Sequence, residues 1–347
     1  MITDAIYDVV LDGNMKKYSN FNLGLFSQYR TALMGVATIL IIFCHLPAYG
    51  VLMPLWIAKL VGSIGVGVDI FLFLSGLGMY NSYVKSKEHH VSVFSWWLKR
   101  YVRIVVPLVI LVVPILLWNP WGREMKISMF WEISGWGALF NCSPLWFVTC
   151  ILFLYLLTPF LHILFTSRYR WAWFLVSSFI CYFYAYTPPY DALLHFMISR
   201  WPIYFFGYIL AKNIKENRKG SIWIFAVLPL VLYMVFYFIN HLYNMHFCLF
   251  GLQGVLMLTV FALMIDKVFI HNSQSRIVAW LNFMGIISLE SYIMNEYFLR
   301  ALESYNWSVG GIDVSLGGWS FYILGTCVSI FLSKYANKFA GKITSRF

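Results

Sequence analysis

TALMGVATILIIFCHLPAYG (Thr31–Gly50) is the stretch whose reading decides the fold. It reads as a helix that crosses a membrane, because roughly 20 mostly apolar residues span a hydrocarbon core of about 30 Å. One ionisable side chain, His45, interrupts it, and Pro47 follows two residues later. Runs of this kind recur along the 347 residues, which are 61% hydrophobic and 11% charged. Soluble domains carry about 25% charged residues, so a soluble chain of this length would need more polar surface. A β-barrel would show segments of about ten residues with alternating polarity. The expected fold class is therefore all-α: a polytopic membrane protein, a bundle of about ten transmembrane helices. Each is expected to be one continuous crossing, since lipid offers no partner for a freed backbone group.

Charges punctuate the chain and place the spans at 32–49, 60–80, 104–119, 144–165, 171–188, 193–211, 221–240, 246–265, 278–298 and 315–333. Alternate connecting segments hold 20 of the 25 Lys and Arg residues; the other set holds 5, namely Lys59, Arg123, Lys126, Arg200 and Arg300. The positive-inside bias makes the rich set, and both termini, cytoplasmic, in a multi-pass protein of the cell (inner or plasma) membrane. The same distribution accounts for the net charge of +11 without a nucleic-acid partner. Residues 1–30 contain Asp4, Asp8, Asp12, Lys16 and Lys17 but no apolar core or cleavage site. They read as a cytoplasmic lead-in rather than a signal peptide, with Phe21 touching the membrane or the bundle. Residues 31–347 then form a single transmembrane domain without an internal repeat. The longest connections expected are 81–103 inside and 120–143 outside. Within the second, NPWGREMKISMFWEISGW (Asn119–Trp136) has the character of an outer amphipathic helix. Cys44, Cys142, Cys150, Cys181, Cys248 and Cys327 show no metal or redox spacing and read as free thiols. No metal site is expected.

An ionisable group at the bilayer centre costs at least about 2.5 kcal/mol, so those present are usually functional. They are His45 (first span), Asp69 (second), His162 (fourth), His195 and Arg200 (sixth), and Glu290 and Glu296 (ninth). At about 1.5 Å per helical residue, His45 lies roughly 22 Å above Arg30, Glu290 roughly 21 Å above Arg276 and Arg200 roughly 18 Å above Lys212. Asp69 lies roughly 15 Å below the outer face, counted from Lys59. These four therefore fall in one layer, from mid-membrane to the outer half. A bland role stands beside each: His45 as a satisfied interface histidine, Asp69 with Arg200 as a structural ion pair, Glu290 as a structural partner. His162 and His195 lie near span ends and read as interfacial, and Glu296 reads as solvated.

Several stretches, in order along nearly the whole chain, resemble the type 3 membrane acyltransferases, integral enzymes that move acyl groups onto extracytoplasmic sugars. They are LMGVATILIIFCH (33–45), GVGVDIFLFLSGLGMY (65–80), FSWWLKRYVRIVVP (94–107), PLWFVTCILFLYLLTP (144–159) with Trp146, RWPIYFFGYILAK (200–212) and GIISLESYIMN (285–295). Members of that family usually carry a basic residue eleven positions before the first-span histidine. Here that position is Met34, and Arg30 stands one turn earlier. The late helix ends on Asn295 where a histidine is usual. No hydrolase-like domain is attached, so the resemblance is to the stand-alone form.

The resemblance implies acyl transfer, most simply of acetyl, from acyl-CoA as co-substrate to a sugar or polysaccharide hydroxyl, with no bound cofactor. A hydroxyl needs a positioned base, and His45 suits the role. Asp69 or Glu290 would orient its ring, and the sequence does not choose between them. Arg100 and Arg103, spaced i, i+3, share one helix face, and their forks suit the CoA phosphates. Ser75 and the glycines around it would let the second span approach its neighbours and make room for the pantetheine arm. Arg200, Arg30, Trp146 and Asn295 are candidates for substrate binding or for structure. Two other classes fit the same polar layer: a proton-coupled transporter or flippase for a sugar or lipid-linked precursor, and a non-catalytic membrane subunit. Against the transporter, the sequence shows no inverted repeat and no matched pair of broken helices.

Overall fold

A computed structural model describes residues 20–49, 51, 53–118, 127–140, 145–185, 192–243, 250–269, 275–303, 307–309, 312–314 and 319–345. Most of the lead-in, Cys142, Cys248, Arg123 and Lys126 lie outside the described residues. Each of the ten expected intervals holds helix. The helices are α1 (Gly24–Gln28), α2 (Arg30–His45), α3 (Leu55–Gly62), α4 (Gly67–Glu88), α5 (Val93–Trp118), α6 (Ile127–Ile133), α7 (Trp146–Thr166) and α8 (Arg170–Ala185). There follow α9 (Ala192–Ser199), α10 (Trp201–Lys215), α11 (Leu228–Tyr243), α12 (Phe250–Met264), α13 (Arg276–Ile286), α14 (Ser288–Glu303) and α15 (Trp319–Thr344).

Four stretches are long and apolar enough to cross a membrane: Arg30–Tyr49, Leu55–Glu88, Val93–Trp118 and Trp146–Thr166. The pair Arg276–Ile286 and Ser288–Leu299, bent by 66°, makes a fifth. Among the described residues, length and apolarity thus establish at most five crossings, fewer than charge punctuation suggests. Two expected single crossings are interrupted helices, one at Arg200 between α9 and α10, the other at Ile287 between α13 and α14. The long inner connection expected at 81–103 is also mostly helix: α4 runs on to Glu88 and α5 starts at Val93. Lys, Glu and Ser in that segment carry little or no helix penalty, so charge alone does not end a helix.

The lead-in's last residues are part of the fold. Phe21 is buried against Phe26 and Phe225. A two-residue strand β1 (Asn20–Phe21) pairs antiparallel with β2 (Gly220–Ser221), Phe21 opposite Gly220. A second small hairpin joins β3 (Trp307–Val309) to β4 (Ile312–Val314). In the outer connection, α6 turns the exposed Phe130 one way and the buried Glu132 the other, consistent with an amphipathic helix. Tyr297 donates to Glu132, and Tyr101 donates to the Ser134 carbonyl at 2.9 Å, so this segment is fastened to α14 and α5.

Two glycine crossings set the helix spacing. A Cβ on Gly35 would stand 1.9 Å from the Leu281 carbonyl oxygen, and one on Gly285 would stand 1.9 Å from that of Thr31. A Cβ on Gly76 would meet the Tyr204 carbonyl at 2.2 Å, and one on Gly207 that of Phe73 at 2.2 Å. In each pair the two backbones touch, the arrangement that small residues permit where lipid supplies no hydrophobic drive. An added methyl here meets backbone, which cannot swing aside, so the cost exceeds the usual 1–3 kcal/mol or so of an overpacked core. Gly285→Ala should lower the thermal midpoint in detergent by many degrees. Gly62→Ala, with nothing within 4 Å, should hold or raise it; equal midpoints for the two variants would contradict this packing.

Candidate functional site

At the basic end of the bundle three arginines converge. Arg100 and Arg103 lie on successive turns of α5, and Arg30 opens α2. Arg30 Nε donates to the Leu74 carbonyl at 3.1 Å. Its guanidinium lies over Gly78, where a Cβ would come within 2.7 Å of it. Gly78 therefore makes the room that Arg30 occupies. Ser82 Oγ accepts from Arg100 and from Trp96 Nε1, the latter at 2.9 Å. Arg100 Nε is buried with no hydrogen-bond partner among the described residues. An orphaned buried guanidinium donor costs free energy unless something fills it. The charges of Arg30, Arg100 and Arg103 act on one another and repel.

These cations line a cavity of about 680 Å³. From Arg30 the wall climbs one face of α2 through Met34 to Ile41, roughly 16 Å at 1.5 Å per residue. Ser75 and Phe71 of α4 and Phe147, Ile151 and Tyr155 of α7 line it as well. The cavity is thus basic at its mouth and increasingly apolar above. His45 lies one turn beyond Ile41, on the same face of α2. Met34 does not leave the site without a cation from α2, because Arg30 reaches the cavity from one turn below.

His45 ends α2, since Pro47 has no N–H to continue the ladder. Its Nδ1 is 2.6 Å from Asn295 Oδ1, and its Nε2 is 3.2 Å from Glu296 Oε1. Tyr49 donates to the Asn295 carbonyl at 2.8 Å and ties the turn after α2 to α14. His45 keeps 22% side-chain exposure, while Glu296 is buried. The two ring nitrogens thus face an amide oxygen and a carboxylate oxygen.

The carboxylate beside His45 is therefore Glu296, not Asp69 or Glu290, and Glu296 is not solvated. Asp69 Oδ2 is held by Arg200 at 2.5 Å, with both side chains buried. Arg200 Cζ lies 4.4 Å from the Phe196 ring centre and 5.6 Å from that of Trp146. The pair ties α4 to the break before α10. Gly254 leaves space for it, since a Cβ there would be 2.8 Å from Asp69 Cβ. Arg200 also acts electrostatically on Cys44, next to His45, which keeps the ion pair in the neighbourhood of the histidine. Glu290 is elsewhere: it lines the basic cavity, accepts from Asn337 Nδ2 at 2.9 Å and feels the charge of Arg103. Its expected height was counted along a straight helix from Arg276, and the 66° bend lies between them.

His162 and His195, expected near span ends, both make packing contacts. His162 Nδ1 is 3.0 Å from the Tyr208 hydroxyl, and His195 is buried with its ring 4.9 Å from that of Tyr184. Cys44, Cys150, Cys181 and Cys327 are free thiols. Among the described residues no three His, Cys, Asp or Glu side chains gather as a metal would require. From the sequence Glu296 is expected to be solvated rather than a partner of His45, and Asn337 is not singled out. The signal for Glu296 was its place directly after Asn295; for Asn337, in a stretch rich in lysine, there was none.

No curated protein and no solved structure matches the chain. A family model does: the acyltransferase domain of the type 3 acyltransferases aligns with residues 31–336. That alignment takes in α2 apart from Arg30, the pair Arg100 and Arg103, both interrupted helices and most of α15. The protein belongs to the type 3 acyltransferase family, membrane acyltransferases with an acyl donor and an acceptor.

Proposed function

We propose that the protein transfers an acyl group, acetyl in the simplest case, from acyl-CoA to a hydroxyl of an envelope or exported glycan, with His45 as the general base. The observation that carries this is the cavity running from three arginines to the turn below His45. Arg30, Arg100 and Arg103 would take the phosphates, and the orphaned Arg100 Nε would gain its partner there. The apolar upper part would hold the pantetheine arm and bring the thioester to His45. The acceptor hydroxyl gives its proton to His45, and Glu296 stabilises the imidazolium. The oxygen forms a C–O bond to the acyl carbon, the C–S bond breaks, and the thiolate takes the proton to leave as CoA–SH. The Asp69–Arg200 pair is assigned to structure, holding α4 and α10 in place around this chemistry.

In this reading the chain makes ten crossings of the cell membrane with both termini cytoplasmic. The arginines then face the cytoplasm, where acyl-CoA is, and His45 lies towards the outer half. The interruptions at Arg200 and Ile287 favour one other class, a transporter or flippase, since broken helices at mid-bundle also serve transport. Purified protein given labelled acetyl-CoA separates the two: release of free CoA that depends on His45 supports the enzyme, whereas substrate flux without CoA release supports the transporter.

His45→Ala should abolish transfer while the protein still purifies as a folded monodisperse species; a fully active variant would overturn the role of the base. Glu296→Gln should lower kcat about 100-fold or more, the usual scale for a general-base contribution. Asp69→Asn should act instead by lowering the thermal midpoint, because it leaves a buried arginine poorly paired. Arg100→Ala should raise KM for the donor about tenfold or more with little change in kcat, the scale of one or two charge-assisted hydrogen bonds. Steady-state kinetics with the donor varied reads these outcomes.

A further inference from the structure

One residue in the basic cavity has the wrong sign for a phosphate site. Glu290 is 3% exposed, yet it lines the same wall as Arg30, Arg100 and Arg103. It is also a built position rather than a stray side chain. Asn337 Nδ2 donates both to Glu290 Oε1 at 2.9 Å and to the Ile286 carbonyl at 3.2 Å. Ile286 is the last residue of α13, so one amide from α15 fastens the carboxylate and the broken end of the helix together. His45 has other partners on both ring nitrogens, so the acid–base chemistry leaves Glu290 without a role.

A fixed carboxylate weakens the binding of any polyanion that shares its cavity, since like charges repel more strongly in a low-dielectric site than in water. Tight uniform binding of a donor slows release of the spent donor, a step that limits many enzymes. We infer that Glu290 is a release residue: its charge opposes the three arginines, so that the cavity holds the phosphates of the donor without trapping the product CoA. The inference rests on the reading that this cavity binds acyl-CoA. It makes Glu290 a tuner of donor affinity, and it gives Asn337 and the bend at Ile287 the task of keeping the carboxylate in the cavity.

The test is Glu290→Gln, which keeps shape and removes charge. CoA binding to the purified full-length protein is measured by titration calorimetry, together with kcat and donor KM. The variant should bind CoA roughly tenfold more tightly, with kcat and donor KM both reduced and the gain shrinking at high salt. Pantetheine, which lacks the phosphates, should bind wild type and variant alike. Glu290→Asp, which keeps the charge, should retain wild-type affinity, and this holds the test open if the Gln variant fails to fold. Unchanged or weaker CoA binding by Glu290→Gln would overturn the inference, as would a loss of kcat at unchanged affinity, the mark of a proton-transfer role. Failure of the wild-type protein to bind CoA would overturn the acyl-CoA reading itself, and this inference with it.

Discussion

The structure depends on backbone touching backbone at two glycine crossings. At Gly35 and Gly285, α2 lies directly on α13, and at Gly76 and Gly207, α4 lies directly on α10. No side chain separates the helices there, so small residues fix their distance and register. Everything polar in the site hangs from these contacts. The first crossing presents one face of α2, from Arg30 to His45, beside the broken helix that carries Glu290, Asn295 and Glu296. The second seats α4 against α10, which allows Asp69 to meet Arg200 at 2.5 Å.

Given that frame, charge is sorted by height and by partner. Three arginines surround the mouth of one cavity, a histidine lies beyond its far end, and the ion pair of Asp69 and Arg200 is closed off in the core. A buried pair of that kind gives little net stability but penalises alternative arrangements in which one charge stays alone. The two interruptions serve the same sorting. At Arg200 the break sets the guanidinium between Asp69 and two aromatic rings. At Ile287 the 66° bend turns Glu290 towards the arginines while Asn295 and Glu296, one to two turns on, reach His45.

Much of this was legible in the sequence. Apolar run length gives helices at the right places because length and polarity are local properties, and the motif order gives the family. His45, Arg100, Arg103, Ser75 and the glycines around it could be singled out since each is unusual where it stands. What escaped is what depends on a bend or on a distant neighbour. A straight-helix count put Glu290 level with His45, and the bend removes it. Glu296 looked solvated because it stands close to a helix end, yet tertiary packing buries it. Asn337 gives no sign of itself, because its partners, Glu290 and the Ile286 carbonyl, are about 50 residues away.

The central claim is that donor and acceptor approach from opposite ends of one path through the protein. Proteoliposomes with the protein in known orientation, loaded with acetyl-CoA on one side only and glycan acceptor on the other, test it directly. The account predicts acylation when the donor is on the side of Arg100 and Arg103 and the acceptor is across the membrane, and none with the two exchanged. Transfer only when both substrates share one side would contradict it.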